Sequence, residues 1–218
     1  MSVYAYKGPR SGTTGATDRA VLLAHGASSD KESAVLKGLA KALAAAGVPS
    51  LRFDYPYRVA KKRAPDRPAV LDRATRDAAA ELAKRSGLPA DRLVLGGRSM
   101  GGRYCSQIVG DEQLPVPALG LLLLGYPLHP AGQPSRLRVD HFPRLRVPCL
   151  FVSGTRDALA GRDALTNATK SIKGKVAFHW LDSADHGYRP LKASGRTLDD
   201  VIAEVAEASV DWVTGLPG

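Results

Sequence analysis

The chain has 218 residues, 44% of them hydrophobic and 24% charged, which excludes a disordered or fibrous chain and suits a single globular domain over residues 1–218. It carries 31 Lys and Arg against 21 Asp and Glu, a formal net charge of +10, and only two cysteines, Cys105 and Cys149, too few for a disulfide framework. No apolar run approaches the roughly 18 residues of a membrane span, and Met1–Lys7 has no apolar core of the kind a secretory signal needs, so a cytoplasmic protein without membrane partners is expected.

Short apolar runs alternate with longer helical stretches, which predicts a mostly parallel sheet with helices on both faces. Val3–Tyr6 reads as an opening strand, followed by a polar loop, Gly8–Asp18. Ala20–Ala24 reads as a buried strand that stops at His25-Gly26. Leu36, Leu39, Ala40 and Leu43 recur at helical spacing within 33–46, and Gly47 with Pro49 closes that helix. Ser50–Phe53 is the next strand, and 54–67 is a loop rich in proline and charge. A helix over 69–86 ends at Gly87, a strand covers 92–95, and a helix over 100–109 follows almost at once. The fully apolar 118–124 is a central strand, and 125–146 is a long proline-containing connection. Strands over 147–152 and 175–181 and a helix over 197–214 complete the chain, with Asp163 inside a further short helix.

The basic excess favours anionic partners. The bases are nevertheless scattered, and the one dense stretch, Arg58–Arg67, reads as a solvated loop. No nucleic-acid motif accompanies it, so a nucleic-acid partner is not expected.

Chemistry concentrates at Gly97-Arg98-Ser99-Met100-Gly101, a G-x-S-x-G placed between a strand and a helix. A serine at so sharp a turn adopts a strained backbone, and its neighbours must lack side chains because strand and helix approach closely. Ser99 then stands above the carboxyl edge of the sheet, with the N–H groups of the following helix directed at any negative charge that develops there. A serine nucleophile needs a base, and the base needs an orienting acid, in the chain order Ser, Asp or Glu, His.

His186, in the Asp182–Gly187 loop after the last strand, has the required place. His129 and His141 lie upstream of any good acid, and His179 lies inside a strand. Asp157, just past a buried strand, is the candidate acid; Asp163 falls in a helix, and Asp182 and Asp185 sit too near His186 in sequence. The expected oxyanion donors are the N–H groups of Met100 and of Ala27, with Gly26 turning the backbone toward the site and His25 shaping the loop. Tyr55, Tyr57, Tyr126 and His129 fall on the same sheet edge, as pocket walls or as packing residues. Arg98 is placed to pair with a loop acid or to meet an anionic substrate.

These ordered elements, strand-His25-Gly26, the Ser99 turn, Gly154-Thr-Arg-Asp157 and Asp185-His186-Gly187, resemble the α/β-hydrolase superfamily over about residues 19–214. Gly96–Arg103, Gly125–Pro130 and Gly154–Asp157 resemble, more narrowly, a small group related to dienelactone hydrolases. That group includes bacterial stand-alone domains, a testis-expressed protein and a hydrolase-like subunit of a histone acetyltransferase complex. The resemblance implies an α/β-hydrolase fold with no cap domain, a triad of Ser99, Asp157 and His186, and no cofactor or metal. Dienelactone hydrolases proper use a cysteine where this chain has Ser99, so their substrate does not carry over. The expected activity is hydrolysis of a small carboxylic ester or thioester through an acyl-enzyme. The alternative is a hydrolase-like interaction module whose triad is silent or weakly active.

Overall fold

The computed structural model describes residues 3–9 and 18–217, so most of the expected polar loop at 8–18 lies outside the described residues. Seven strands form one sheet: β1 (Tyr4–Lys7), β2 (Ala20–Ala24), β3 (Ser50–Phe53), β4 (Leu93–Arg98), β5 (Gly120–Leu124), β6 (Cys149–Gly154) and β7 (Val176–Leu181). Their order is β1-β3-β2-β4-β5-β6-β7; β1 is antiparallel to β3, and every other pairing is parallel.

The central strands are apolar throughout because successive residues face opposite helix layers, both of them dry. Leu22, Leu95, Leu121 and Phe151 join one core with α3 (Pro68–Ser86), α4 (Met100–Val109) and α5 (Arg162–Thr169). Their neighbours Val21, Val94, Leu122 and Leu150 join the other, with α1 (Ala34–Ala45) and α6 (Leu198–Thr214). The helix that covers β2 on its way to β3 therefore lies on the opposite face from the one that follows β4. A crevice opens at the carboxyl ends of adjacent strands whose connections diverge in this way, and here those strands are β2 and β4.

Boundaries differ from the sequence reading where backbone approach decides them. β4 runs on to Arg98 because Gly96 and Gly97 pair with Leu122 and Leu123, so the glycines belong to the ladder instead of ending it. β6 likewise extends to Gly154. The 54–67 loop contains a one-turn helix, α2 (Pro56–Val59), which Pro56 opens at the position where a missing N–H costs nothing. The 125–146 connection contains a single 3₁₀ turn, Phe142–Arg144, and no inserted cap. No helix among the described residues is long and apolar enough to cross a membrane.

Candidate active site

The turn after β4 places Ser99 at φ 50° and ψ −114°, a backbone region that side-chain-bearing residues rarely occupy. It is held by the Ser99 N–H donating to Leu124 O at 2.8 Å and by Arg103 N–H donating to Ser99 O at 3.0 Å, which starts α4. A Cβ on either Gly97 or Gly101 would overlap the Ala24 carbonyl at the end of β2. Glycine at both positions lets the turn close directly against the strand that leads into His25-Gly26-Ala27.

Ser99 Oγ lies 3.0 Å from His186 Nε2, and His186 Nδ1 lies 2.8 Å from Asp157 Oδ2. Asp157 accepts only, so Nδ1 carries the proton and donates it to Asp157, leaving Nε2 to accept from the serine hydroxyl. The Asp157 side chain is fully buried, while that of His186 keeps 27% of its surface exposed. Asp157 Oδ1 accepts from the Leu159 N–H at 2.8 Å, so both carboxylate oxygens are engaged and the group cannot swing away.

The loop carrying His186 is pinned at several points. Arg156 N–H donates to Ala184 O, Ser183 N–H donates to Thr155 Oγ1, and Arg189 N–H donates to Asp185 Oδ1. Gly154 permits this closure, because a Cβ there would overlap the Ala184 carbonyl. Asp182 and Asp185 thus serve the loop itself, Asp182 accepting from the Ser183 hydroxyl.

The Ala27 and Met100 N–H groups donate to no acceptor among the described residues, and Met100 opens α4 directly after Ser99. His25 is fully buried; its Nδ1 donates to Gly26 O at 2.8 Å and its Nε2 accepts from the Tyr55 N–H at 3.2 Å. Burial holds the His25 pKa below the usual imidazole value, which keeps it neutral in this loop-shaping role. Gly26 is less constrained than expected, since a Cβ there would make only ordinary contacts with Arg98 and Ser99.

The aromatic residues settle as packing. Tyr55, Tyr57 and Tyr126 are fully buried. Tyr57 has a function that sequence reasoning did not find: its hydroxyl donates to Ala27 O at 2.8 Å, fixing the peptide that follows the candidate oxyanion donor. The link spans 30 residues, and no local signal announces it. Burial pushes the Tyr57 phenol up to about 12, so it remains a donor.

Arg98 is taken up by the framework, stacking 4.3 Å from the Tyr188 ring centroid and reaching the carbonyls of Leu124 and Gly125 at 3.4 Å. His129 donates to its neighbour's carbonyl at Pro130, His141 is buried against Ser106, and His179 pairs with Glu204 on α6. In the basic 58–67 stretch, Arg58 pairs with Asp30, and Lys61, Lys62 and Arg63 are exposed. Among the described residues, no group of three or more His, Cys, Asp or Glu side chains is placed to hold a metal ion.

Solved structures share the architecture. An esterase domain of a Rhodothermus marinus protein superposes at TM-score 0.70 with 19% identity, covering 96% of this chain and 90% of that one. An α/β serine hydrolase without lid from Xanthomonas campestris gives TM-score 0.71 with 15% identity over 99% of this chain and 89% of its own. A dienelactone hydrolase from Anabaena variabilis gives TM-score 0.70 with 17% identity over 99% and 92%. At these identities the likeness establishes the fold. Residues 17–214 match the family described as "Alpha/beta hydrolase domain", which is nearly the whole chain. The chain belongs to the α/β-hydrolase domain family.

Proposed function

We propose that the protein is a serine hydrolase of small carboxylic esters or thioesters, acting through an acyl-enzyme on Ser99. The observation that carries this reading is the relay Ser99 Oγ, His186 Nε2, His186 Nδ1 and Asp157 Oδ2, with links of 3.0 and 2.8 Å at the carboxyl edge of the sheet. A silent interaction module has no need of so close an alignment across three separate loops.

In this reading Ser99 Oγ attacks the acyl carbon while its proton passes to His186 Nε2, and the Asp157 carboxylate steadies the imidazolium that forms. The carbonyl electron pair moves onto oxygen, where the Ala27 and Met100 N–H groups receive it. Collapse of the tetrahedral adduct expels the alcohol or thiol, which takes the proton from His186. Water then attacks the acyl-enzyme, gives a proton to the same nitrogen, and the acid leaves with Ser99 restored. No cofactor or metal takes part in these steps. With no inserted cap over Ser99, small or surface-accessible acyl groups fit best. The free, buried Cys105 and Cys149 suit a reducing compartment, and the reading is of a cytoplasmic enzyme.

A fluorophosphonate probe followed by peptide mass spectrometry tests the reading on wild type, Ser99→Ala and His186→Ala. An adduct on Ser99 that vanishes in Ser99→Ala and forms far more slowly in His186→Ala is expected. Folded wild type that stays unlabelled where a reference serine hydrolase reacts fully would overturn the proposal and leave the interaction module in its place.

A further inference from the structure

An open cavity of about 940 Å³ lies beside α4, between the start of α3 and the 130–144 part of the long connection; neither Ser99 nor His186 lines it. Four arginines do: Arg103 from the first turn of α4, and Arg136, Arg138 and Arg144 from the connection. Their partners are few. Arg103 Nη1 donates to Gln107 Oε1 at 3.0 Å, which leaves the Gln107 amide N–H₂ available, and Arg103 Nε is buried without a hydrogen-bond partner. The half-buried Arg138 guanidinium makes no hydrogen bond or ion pair with the described residues. Arg136 reaches only Gln133 Oε1, at 3.5 Å, and Arg144 donates to Gly110 O.

The cavity's acids are turned mostly to other partners, although the charge of Asp111 is felt by Arg144. Asp72 and Asp111 both pair with Arg76, which does not line the cavity, and Asp111 also accepts from the Gln113 and Leu114 N–H groups. Glu112 and Asp140 are exposed at the rim, and neither forms an ion pair with any of the four arginines among the described residues.

Like charges crowded at a concave surface, with unused planar donors, are the arrangement that recognises a multiply charged oxyanion. We propose that this cavity binds the phosphate of a phosphorylated small molecule, held by Arg103, Arg136 and Arg138 with the Gln107 amide. Burial and the neighbouring charges of Arg103 and Arg136 hold Arg138 below the usual arginine range, a cost that a bound anion would relieve. The Arg103 guanidinium lies over the Tyr104 ring, 4.5 Å from its centroid, so part of the site is preorganised. Arg103 stands four residues beyond Ser99, the N-cap of α4, about 6 Å along the helix axis. The site is therefore a neighbour of the serine, and binding there does not require a working triad.

Calorimetric titration of Ser99→Ala protein with pyrophosphate, in about 150 mM NaCl to suppress diffuse attraction, tests the proposal apart from the hydrolase reading. One saturable site is expected, weakened about tenfold or more in Arg138→Gln and in Arg103→Gln, as loss of one charge-assisted contact implies. Arg138→Lys, which keeps the charge but loses the fork, should fall between. Thermal melting of each variant identifies any that is unfolded, and the remaining one then decides. Lys61→Gln/Lys62→Gln, in the solvated basic loop, should bind as tightly as the parent. Absence of saturable binding, an equal loss in the Lys61/Lys62 variant, or tighter binding of succinate than of pyrophosphate would overturn the assignment.

Discussion

Replacing Asp157 by Asn tests the orientation of His186 at a single atom. The Leu159 N–H, 2.8 Å from Oδ1, can only donate, so the asparagine carbonyl oxygen turns toward it. The new N–H₂ group then faces His186 Nδ1 at the 2.8 Å now spanned by Oδ2. Two donors cannot meet, so the imidazole moves its proton to Nε2, which faces Ser99 Oγ at 3.0 Å and can no longer accept from it.

The productive tautomer requires the amide to flip and leave the part-buried Leu159 N–H unpaired, about 1–3 kcal/mol. A neutral acceptor also stabilises the imidazolium less than a carboxylate does, by about 1.5–3 kcal/mol. Together these slow acylation by about 10²–10⁴-fold. Because the Asp157 side chain is fully buried, water cannot take over its role. The assay is the pseudo-first-order rate of fluorophosphonate addition to Ser99 at saturating probe, with melting curves to show that the variant is folded. A folded Asp157→Asn protein that labels within about tenfold of wild type would refute the tautomer reasoning, and with it the role assigned to Asp157.

Two further outcomes follow from packing and burial. Gly101→Ala would set a methyl carbon 2.5 Å from the Ala24 carbonyl carbon, between two fixed backbones. Urea denaturation should show a loss of about 1–3 kcal/mol or outright misfolding, and a change below about 0.5 kcal/mol would refute the close approach. His141 is held down to about 4, from 6.5, first by burial and then by Arg144 and Arg103. Its unfolded form therefore takes up a proton first as pH falls through 6.5, and roughly 3 kcal/mol of stability should drain away by pH 4. His141→Gln should remove that part of the decline, and stability profiles of variant and wild type running parallel from pH 7 to 4 would refute it.

Much of this protein was legible in the sequence because its signals are local. Helical spacing at Leu36, Leu39 and Leu43, and unbroken apolar strands such as Leu121–Leu124, report burial directly, so the layered parallel sheet follows from the chain alone. The Ser99 turn is legible for the same reason, since Gly97 and Gly101 mark where two backbones meet. Chain order and placement at strand ends singled out Asp157 and His186, and the structure brings His186 to hydrogen-bonding distance of Ser99 and Asp157 to hydrogen-bonding distance of His186.

Tertiary structure alone decided how the remaining polar groups were spent. Arg98, beside the serine, read as placed to pair with a loop acid or to meet an anionic substrate but is held by Tyr188 and two carbonyls, whereas Arg103 and Arg138, 35 positions apart, converge on one cavity. Tyr57 read as a pocket wall or a packing residue, and its hydroxyl holds the Ala27 carbonyl from across the sheet edge. Burial needs only a residue's own periodicity to be read. A polar side chain's partner, by contrast, is fixed by whichever distant segment the folded chain brings within about 3 Å, and no local pattern encodes that.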